Sequence, residues 1–296
     1  MGDEIMIKDW KVGFMASGSY ENMEPEAVCE NLKSIGYDAV EWTQFFANPL
    51  THTDVELRKL AEIPRAYGME TSEIVVQKDL IVLDDEIRRA NINLIKEGIK
   101  RYTAAGIHTI NLFSGPMPWI KDPVKIGKDI TEGKAWDMLF EAFDEIVPLA
   151  EDCKMSLAVE NVWGMLAHDI YTSRYLIDHY SSPYLGVNCD VSHDLLAGHT
   201  DVKWVASQWK DKIKHVHLKD AVGIQTGGRF LFPLLGEGEV DWIGLCQGLK
   251  EAGYNGVLSV EFESFKYVDS IWGGDWSKAA QNSYDNLKIL LPEHCC

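Results

Sequence analysis

The sequence predicts an eight-stranded parallel β/α barrel, a TIM barrel, built as one domain over residues 1–296. Three observations support this fold class. Short runs rich in β-branched and aromatic residues alternate eight times with longer helix-period segments, which indicates parallel strands with helices outside them. Eight units are the number that closes such a barrel, and 296 residues is a usual length for one. Glycines also end several of the predicted helices.

The first four units occupy residues 11–152. Their strands are predicted at 11–15, 38–42, 70–76 and 108–113, and the helices that follow at 25–35, 54–67, 85–105 and 134–152. Gly36, Gly68 and Gly106 lie just before strands, where glycine accepts the left-handed conformation that closes a helix. The helix at 85–105 is long and amphipathic, and a loop rich in glycine and proline follows the fourth strand.

The last four units repeat this order. Their strands are predicted at 155–160, 185–190, 213–218 and 256–261, with helices at 172–179, 202–209, 242–252 and 277–290. Gly236-Glu237-Gly238 is typical of a turn, and Asp241 is a suitable cap for the helix after it. Gly253 ends that helix before the eighth strand.

An open doubly wound sheet is the alternative fold. That fold usually carries G-x-G-x-x-G after its first strand, and here the corresponding turn is Ala16-Ser17-Gly18-Ser19-Tyr20. Because the fingerprint is missing, the closed barrel is favoured.

Composition restricts the partners and the compartment. The formal net charge of −18 repels nucleic acid and anionic membrane surfaces. None of the six cysteines forms a C-x-x-C pair, which indicates free thiols in a reducing compartment, and the Cys295-Cys296 tail lies outside every predicted element. Without a signal-like apolar segment or a membrane-length run, we expect a cytoplasmic protein. We also expect a homo-oligomer or a second subunit.

Four consecutive strands place chemical side chains at one rim of the barrel. The carboxyl ends of strands five to eight carry Glu160, Asp190, His217 and Glu261, and barrel enzymes gather function at these ends. Carboxylates so close together would repel each other unless a cation lay between them. Three carboxylates and one imidazole suit Mn²⁺ best, with Mg²⁺, Co²⁺ or Zn²⁺ as alternatives. Glu263 is an alternative ligand to Glu261, since residues two apart along a strand point to the same side.

Tryptophans cluster in the segments that follow strands, among them Trp42, Trp119 and Trp163. Aromatic faces stack on the apolar C–H faces of sugars, although ordinary packing would use the same residues. The sequence therefore predicts a roomy pocket for a sugar ring or glycoside.

Several sequence blocks resemble the xylose-isomerase-like sugar isomerase/epimerase superfamily. These blocks span the predicted barrel and lie at 159–163, 188–193, 215–220, 233–242 and 258–261. The resemblance implies one divalent metal ion on the four rim residues, and substrate contacts by His193 and His215. It also implies that Glu160 and Glu261 exchange a proton beside a sugar carbonyl through a metal-stabilised enediolate.

Two positions depart from the ketose 3-epimerases of this superfamily. Leu166 stands where those enzymes usually carry a further glutamate, and Gly223 where they tend to carry an arginine. Arg229, in the same loop, is a candidate substitute. Three functions therefore stay open: a sugar isomerase or epimerase, a lyase that acts on 3-oxo-glycosides as one chain or one of two, and a metal-dependent sugar-binding protein without turnover.

Overall fold

The computed structural model describes residues 10–291 and contains a closed barrel of eight parallel strands. The barrel strands are β1 (Lys11–Ala16), β2 (Ala39–Thr43), β3 (Glu70–Val76), β4 (Thr109–Phe113), β5 (Ser156–Glu160), β6 (Leu185–Cys189), β7 (Ile213–Leu218) and β10 (Val257–Val260). Each strand is hydrogen-bonded to its neighbours in chain order, and β10 pairs with β1 to close the barrel. The predicted fold class is thus confirmed.

Helices surround the barrel and pack their apolar faces against the strands. They are α1 (Pro25–Ile35), α2 (Asp54–Ala66), α3 (Asp85–Ala105), α4 (Glu132–Cys153), α5 (Ile170–Ile177), α7 (Val202–Trp209), α8 (Trp242–Ala252) and α10 (Trp276–Leu290). Side chains cap the N-termini of all these helices except α1, as Thr53 does reciprocally with Glu56 at α2 and Asp241 does at α8. The four predicted helix-ending glycines all have positive φ, between 67° and 127°.

Four short elements at the barrel mouth were not predicted. Helix α6 (Val191–Leu196) starts directly after β6, strands β8 (Val222–Ile224) and β9 (Arg229–Leu231) form an antiparallel hairpin, and α9 (Phe265–Ser270) follows β10. Each is too short to produce a readable hydrophobic period, so the sequence pattern treats them as loops.

Asp220 fixes the long segment that follows β7. Its carboxylate accepts hydrogen bonds from the backbone N–H groups of Ala221, Gly236, Gly238 and Val240, at 2.8 to 3.1 Å. A Cβ at position 238 would lie 2.1 Å from an Asp220 oxygen, so only glycine fits there. The turn predicted at Gly236-Glu237-Gly238 is thereby tied to the rim of the barrel.

Candidate metal centre

The four predicted rim residues meet at the carboxyl ends of neighbouring strands. Glu160 is the last residue of β5, His217 lies in β7, and Asp190 and Glu261 directly follow β6 and β10. Each offers one ligand atom, and these atoms all lie within 4.8 Å of one another. His217 Nδ1 is 3.2 Å from Glu160 Oε1 and 3.3 Å from Glu261 Oε2. We call these four residues the open cluster.

Local hydrogen bonds orient Asp190 in this cluster. Its Oδ1 accepts from Ser192 N at 2.9 Å and so caps α6. Its backbone N–H donates to Asn161 Oδ1 at 3.2 Å, and Asn161 Nδ2 donates to the Asp190 carbonyl at 2.9 Å. Oδ2 is buried and is paired by charge rather than by a well-aligned hydrogen bond, with Lys219 Nζ 3.0 Å away.

A divalent cation fits this donor set. Ligands about 2.0–2.3 Å from an ion lie at most about 4.6 Å apart, and the ligand atoms of the open cluster all lie within 4.8 Å of one another. Three buried carboxylates also need positive charge nearby. Burial and the neighbouring Glu261 charge raise the pKa of Glu160, which is the conflict a cation would relieve.

Lys219 supplies one positive charge beside the open cluster. Its Nζ contacts Glu261 and lies 3.0 Å from Asp190 Oδ2 and 3.1 Å from Glu263 Oε2. Burial opposes its charge, but the carboxylates around it hold its pKa well above the ordinary value. Even with a protonated His217, two positive charges face the four carboxylates of Glu160, Asp190, Glu261 and Glu263, so the site retains an excess of negative charge.

His193 faces both Lys219 and the open cluster. Its Nε2 lies 3.0 Å from Lys219 Nζ, and its Nδ1 lies 3.3 Å from Trp163 N. Burial, together with the Lys219 charge, lowers the pKa of His193 to about 3. The ring is therefore neutral at physiological pH, and because a neutral imidazole has a single acceptor nitrogen, it accepts a hydrogen bond at Nδ1 or at Nε2 but not at both.

A second buried cluster lies on the other side of His217. Glu41, Glu73, His215 and His217 bring their ligand atoms within 4.8 Å of one another, and all four are buried. Glu41 Oε1 is 2.9 Å from His217 Nε2, and Glu41 Oε2 is 3.0 Å from His215 Nε2. None of Glu41, Glu73 and His215 lines the cavity at the barrel mouth. We call these four residues the sealed cluster.

His217 belongs to both clusters through its two ring nitrogens. Burial opposes its charge, but the surrounding carboxylates, led by Glu41, hold its pKa well above the ordinary value. Burial would raise the pKa of Glu41, yet the same pairing lowers it to about 2. Glu41 therefore keeps a hydrogen bond from Nε2, which leaves Nδ1 directed toward the open cluster.

A cavity of about 490 Å³ opens above the open cluster. Glu160, Glu261, Glu263, His193, Lys219 and Gln77 form its polar part, and the remaining lining comprises Phe113, Trp119, Val162, Trp163, Phe230, Phe232 and Phe265. A concave site with a few converging polar groups and a large apolar wall is typical of a small-molecule site.

The residues predicted to contact substrate divide into two groups. His193, Trp119 and Trp163 line the cavity. Trp42 and His215 do not, because Trp42 packs at 0% exposure against Phe46 in the core and His215 lies in the sealed cluster. Arg229 is exposed on β9, where its Nε donates to a backbone carbonyl, so it also lies outside the lining. The geometry does not support substrate contact by these three.

Sequence reasoning gave no role to Lys219 or Glu73. Lys219 follows His217 by two residues and shares its inward parity, so the alternation rule could have found it. Glu73 lies within β3 and not at the end of the strand, where catalytic residues are expected. Only its contacts with His215 and His217 in the folded structure indicate that it belongs to a cluster.

The comparisons with known proteins agree with this geometry. Residues 29–289 match the family model described as xylose isomerase-like TIM barrel. The chain belongs to this family.

Curated relatives are distant. An uncharacterised protein of Methanocaldococcus jannaschii is 27% identical over 224 residues, which cover 71% of this chain and 70% of that protein. An inosose dehydratase of Clostridium perfringens is 24% identical over 160 residues, covering 49% of this chain and 52% of the relative.

Solved structures share the fold. A D-psicose 3-epimerase with D-tagatose from Clostridium cellulolyticum H10 superposes with a TM-score of 0.72 at 16% identity, covering 97% of this chain and all of the other. The IOLI protein with a bound zinc atom gives 0.71 at 19% identity, covering 96% and 99%. Among residues 10–291, no helix combines the length and apolar character that a membrane crossing requires.

Proposed function

We propose that this protein is a divalent-metal-dependent sugar isomerase or epimerase, which removes a proton from the carbon beside a carbonyl. One observation carries the proposal: two buried glutamates, Glu160 and Glu261, meet a shared imidazole where the open cluster borders the cavity. Paired carboxylates of this kind are suited to remove a proton from one position of a bound molecule and return it at another.

Glu160 is proposed as the base. Burial and the nearby Glu261 charge raise its pKa, which makes it a stronger base than a free carboxylate. Glu261 is proposed as its partner, which returns the proton from another direction. Lys219 and the neutral His193 would hold substrate hydroxyl groups on the polar side of the cavity.

Glu160, Asp190, His217 and Glu261 would hold the metal ion. When bound there, the cation supplies stabilisation for the negative charge that develops on the carbonyl oxygen. We propose Mn²⁺ because oxygen ligands dominate the set, and Mg²⁺, Co²⁺ and Zn²⁺ suit the same donors. A zinc atom is present in the related IOLI structure.

A lyase is the second candidate, favoured by Leu166 and Gly223 at the positions where ketose 3-epimerases carry glutamate and arginine. The similarity to an inosose dehydratase points the same way. The first proton removal would be the same. The electron pair of the broken C–H bond would then form a C=C bond, and the substituent one carbon further on would leave with the pair of its own bond and gain a proton.

Hydrogen exchange in D₂O tests the proposal. Protein loaded with Mn²⁺ is incubated with D-fructose, D-tagatose, L-ribulose and methyl 3-oxo-β-D-glucopyranoside, and NMR follows deuterium at the carbons beside the carbonyl. We expect exchange in at least one sugar, lost in Glu160→Gln even at Mn²⁺ concentrations that keep the metal site of the variant loaded. A new epimer identifies the epimerase and a released methanol the lyase. Exchange at the wild-type rate in Glu160→Gln, or none in any sugar, contradicts the proposal.

A further inference from the structure

Aromatic rings form a continuous wall along one side of the cavity. Phe113 lies 5.9 Å from Trp119 between ring centroids, Trp119 lies 6.3 Å from Trp163, and Trp163 lies 4.7 Å from Phe230. Edge-on and tilted geometries prevail along the row. Trp119 lines the cavity and remains 48% exposed, so it has apolar area that a bound group could cover.

The cavity is larger than a single sugar ring requires. Its volume of about 490 Å³ falls within the roughly 300–1,000 Å³ of pockets that hold drug-sized ligands. The groups proposed to act on the sugar occupy only the polar side of the lining. A sugar that reaches Glu160 and Glu261 therefore leaves the space beside Trp119 and Trp163 for a second, apolar group.

Charge argues against a phosphorylated sugar. Of the cavity-lining residues among 10–291, Lys219 alone is a cation. An ammonium has three N–H donors, and Lys219 Nζ already faces Asp190, Glu261, Glu263 and His193. A phosphate, which brings about −1.5 to −2 charges, would meet three lining carboxylates and no uncommitted cation.

We propose that the substrate is an uncharged sugar that carries an aromatic substituent, with the sugar on the polar side and the aromatic ring against Trp119 and Trp163. This inference rests on the proposed function for the reacting end of the molecule. It adds the class of substrate: an aryl glycoside with a carbonyl on its ring, rather than a free ketose or a sugar phosphate.

Three compounds with one carbonyl in common test this inference: phenyl 3-oxo-β-D-glucopyranoside, methyl 3-oxo-β-D-glucopyranoside and 3-oxo-D-glucose 6-phosphate. With Mn²⁺-loaded protein, the rate of deuterium exchange at C2 gives kcat/KM for each. We expect the phenyl compound to exceed the methyl compound by roughly tenfold or more, since each aromatic contact contributes on that scale, and the phosphate to be the poorest.

Two tryptophan variants locate the effect. Trp119→Ala is expected to reduce the phenyl-to-methyl ratio of kcat/KM by about tenfold. Trp204→Ala is the matched control, because Trp204 is 41% exposed on α7, contacts Tyr171 and does not line the cavity. It should leave the ratio unchanged. Calorimetric binding of phenyl and methyl β-D-glucopyranoside to the same three proteins repeats the comparison without any reaction.

The two readouts separate the two proposals. If none of the oxo-sugars exchanges deuterium, the proposed function fails, and the binding ratio of the unreactive glycosides still decides on the aromatic substituent. A phenyl compound no better than its methyl analogue in binding, or a preference for the phosphate, would overturn the inference. So would a phenyl advantage that survives Trp119→Ala, because the wall would then not be its source.

Discussion

The open and sealed clusters are built from the same chemical groups but differ in access and in charge. Each combines carboxylates with imidazole, and His217 belongs to both. Glu160 and Glu261 border the cavity, whereas Glu41, Glu73 and His215 do not. The open cluster has three carboxylates for one imidazole, and the sealed cluster has two of each. A cation would relieve the excess of carboxylates in the open cluster, whereas protons on the imidazoles can balance the two carboxylates of the sealed cluster.

This difference assigns the clusters different functions. In the sealed cluster, Glu41 holds the N–H of His217 Nε2 and so fixes which nitrogen faces the open cluster. Burial raises the pKa of Glu73, which favours neutralisation of its carboxylate by a proton rather than by a metal ion. We infer that the open cluster binds the metal and the sealed cluster orients one of its ligands.

The largest effect is expected from Asp190→Asn. This change removes a buried carboxylate of the open cluster, and we expect metal affinity to fall by more than the roughly 100-fold that loss of an outer hydrogen-bond partner can cost. Competition with a chromogenic chelator measures the dissociation constant. Glu263→Gln is the control, since Glu263 contacts Lys219 but lies outside the cluster. Equal losses in both variants would mean that Glu263 is also a ligand.

Glu41→Gln should have the next largest effect. The amide keeps the shape of the Glu41 side chain but loses its negative charge. That charge pairs with His217 Nε2 and strengthens Nδ1 as a metal ligand, so metal affinity should fall about 10- to 100-fold. The same chelator competition measures it, with Glu73→Gln as the matched substitution in the same cluster. Unchanged affinity in Glu41→Gln would show that the hydrogen bond to His217 does not support the metal.

Metal binding should depend on pH through His217. Because its pKa is well above the ordinary value without metal, the ring is protonated at neutral pH, and a ligand nitrogen must lose that proton. Affinity should therefore rise with pH, by up to about tenfold per unit, until the pH passes this pKa. Calorimetry in buffers of different ionisation enthalpy counts the protons released. Affinity that falls as pH rises from 6 to 8 would contradict this linkage.

The smallest effect is expected from Glu73→Gln. Burial raises the pKa of Glu73, and its protonated form resembles the amide in shape, so the free energy of unfolding should change by less than about 1 kcal/mol. Urea unfolding of the metal-loaded protein measures this change. Loss of one equivalent of metal in this variant would instead indicate an ion in the sealed cluster.

Sequence reasoning reached the fold and the open cluster because both leave periodic signals. Strands alternate with helices, and the four rim residues end four consecutive strands. The sealed cluster leaves no such signal, since Glu41 and Glu73 come from early strands and meet His215 only when the barrel closes. The geometry does not support the predicted substrate contact of Trp42 for a related reason. Successive side chains of a strand point to opposite faces, so a residue next to the rim can face the helices instead of the cavity. The extent of the domain over residues 1–296, the cytoplasmic location, and the homo-oligomer or second subunit stay predictions, and Cys295-Cys296 lies outside the described residues.

An anomalous-difference map from crystals grown with Mn²⁺ tests the central claim most directly. We predict one peak per chain, within about 2.0–2.3 Å of ligand atoms from Glu160, Asp190, His217 and Glu261. A peak between Glu41, Glu73 and His215, or no peak among the four residues of the open cluster at saturating metal, would contradict it.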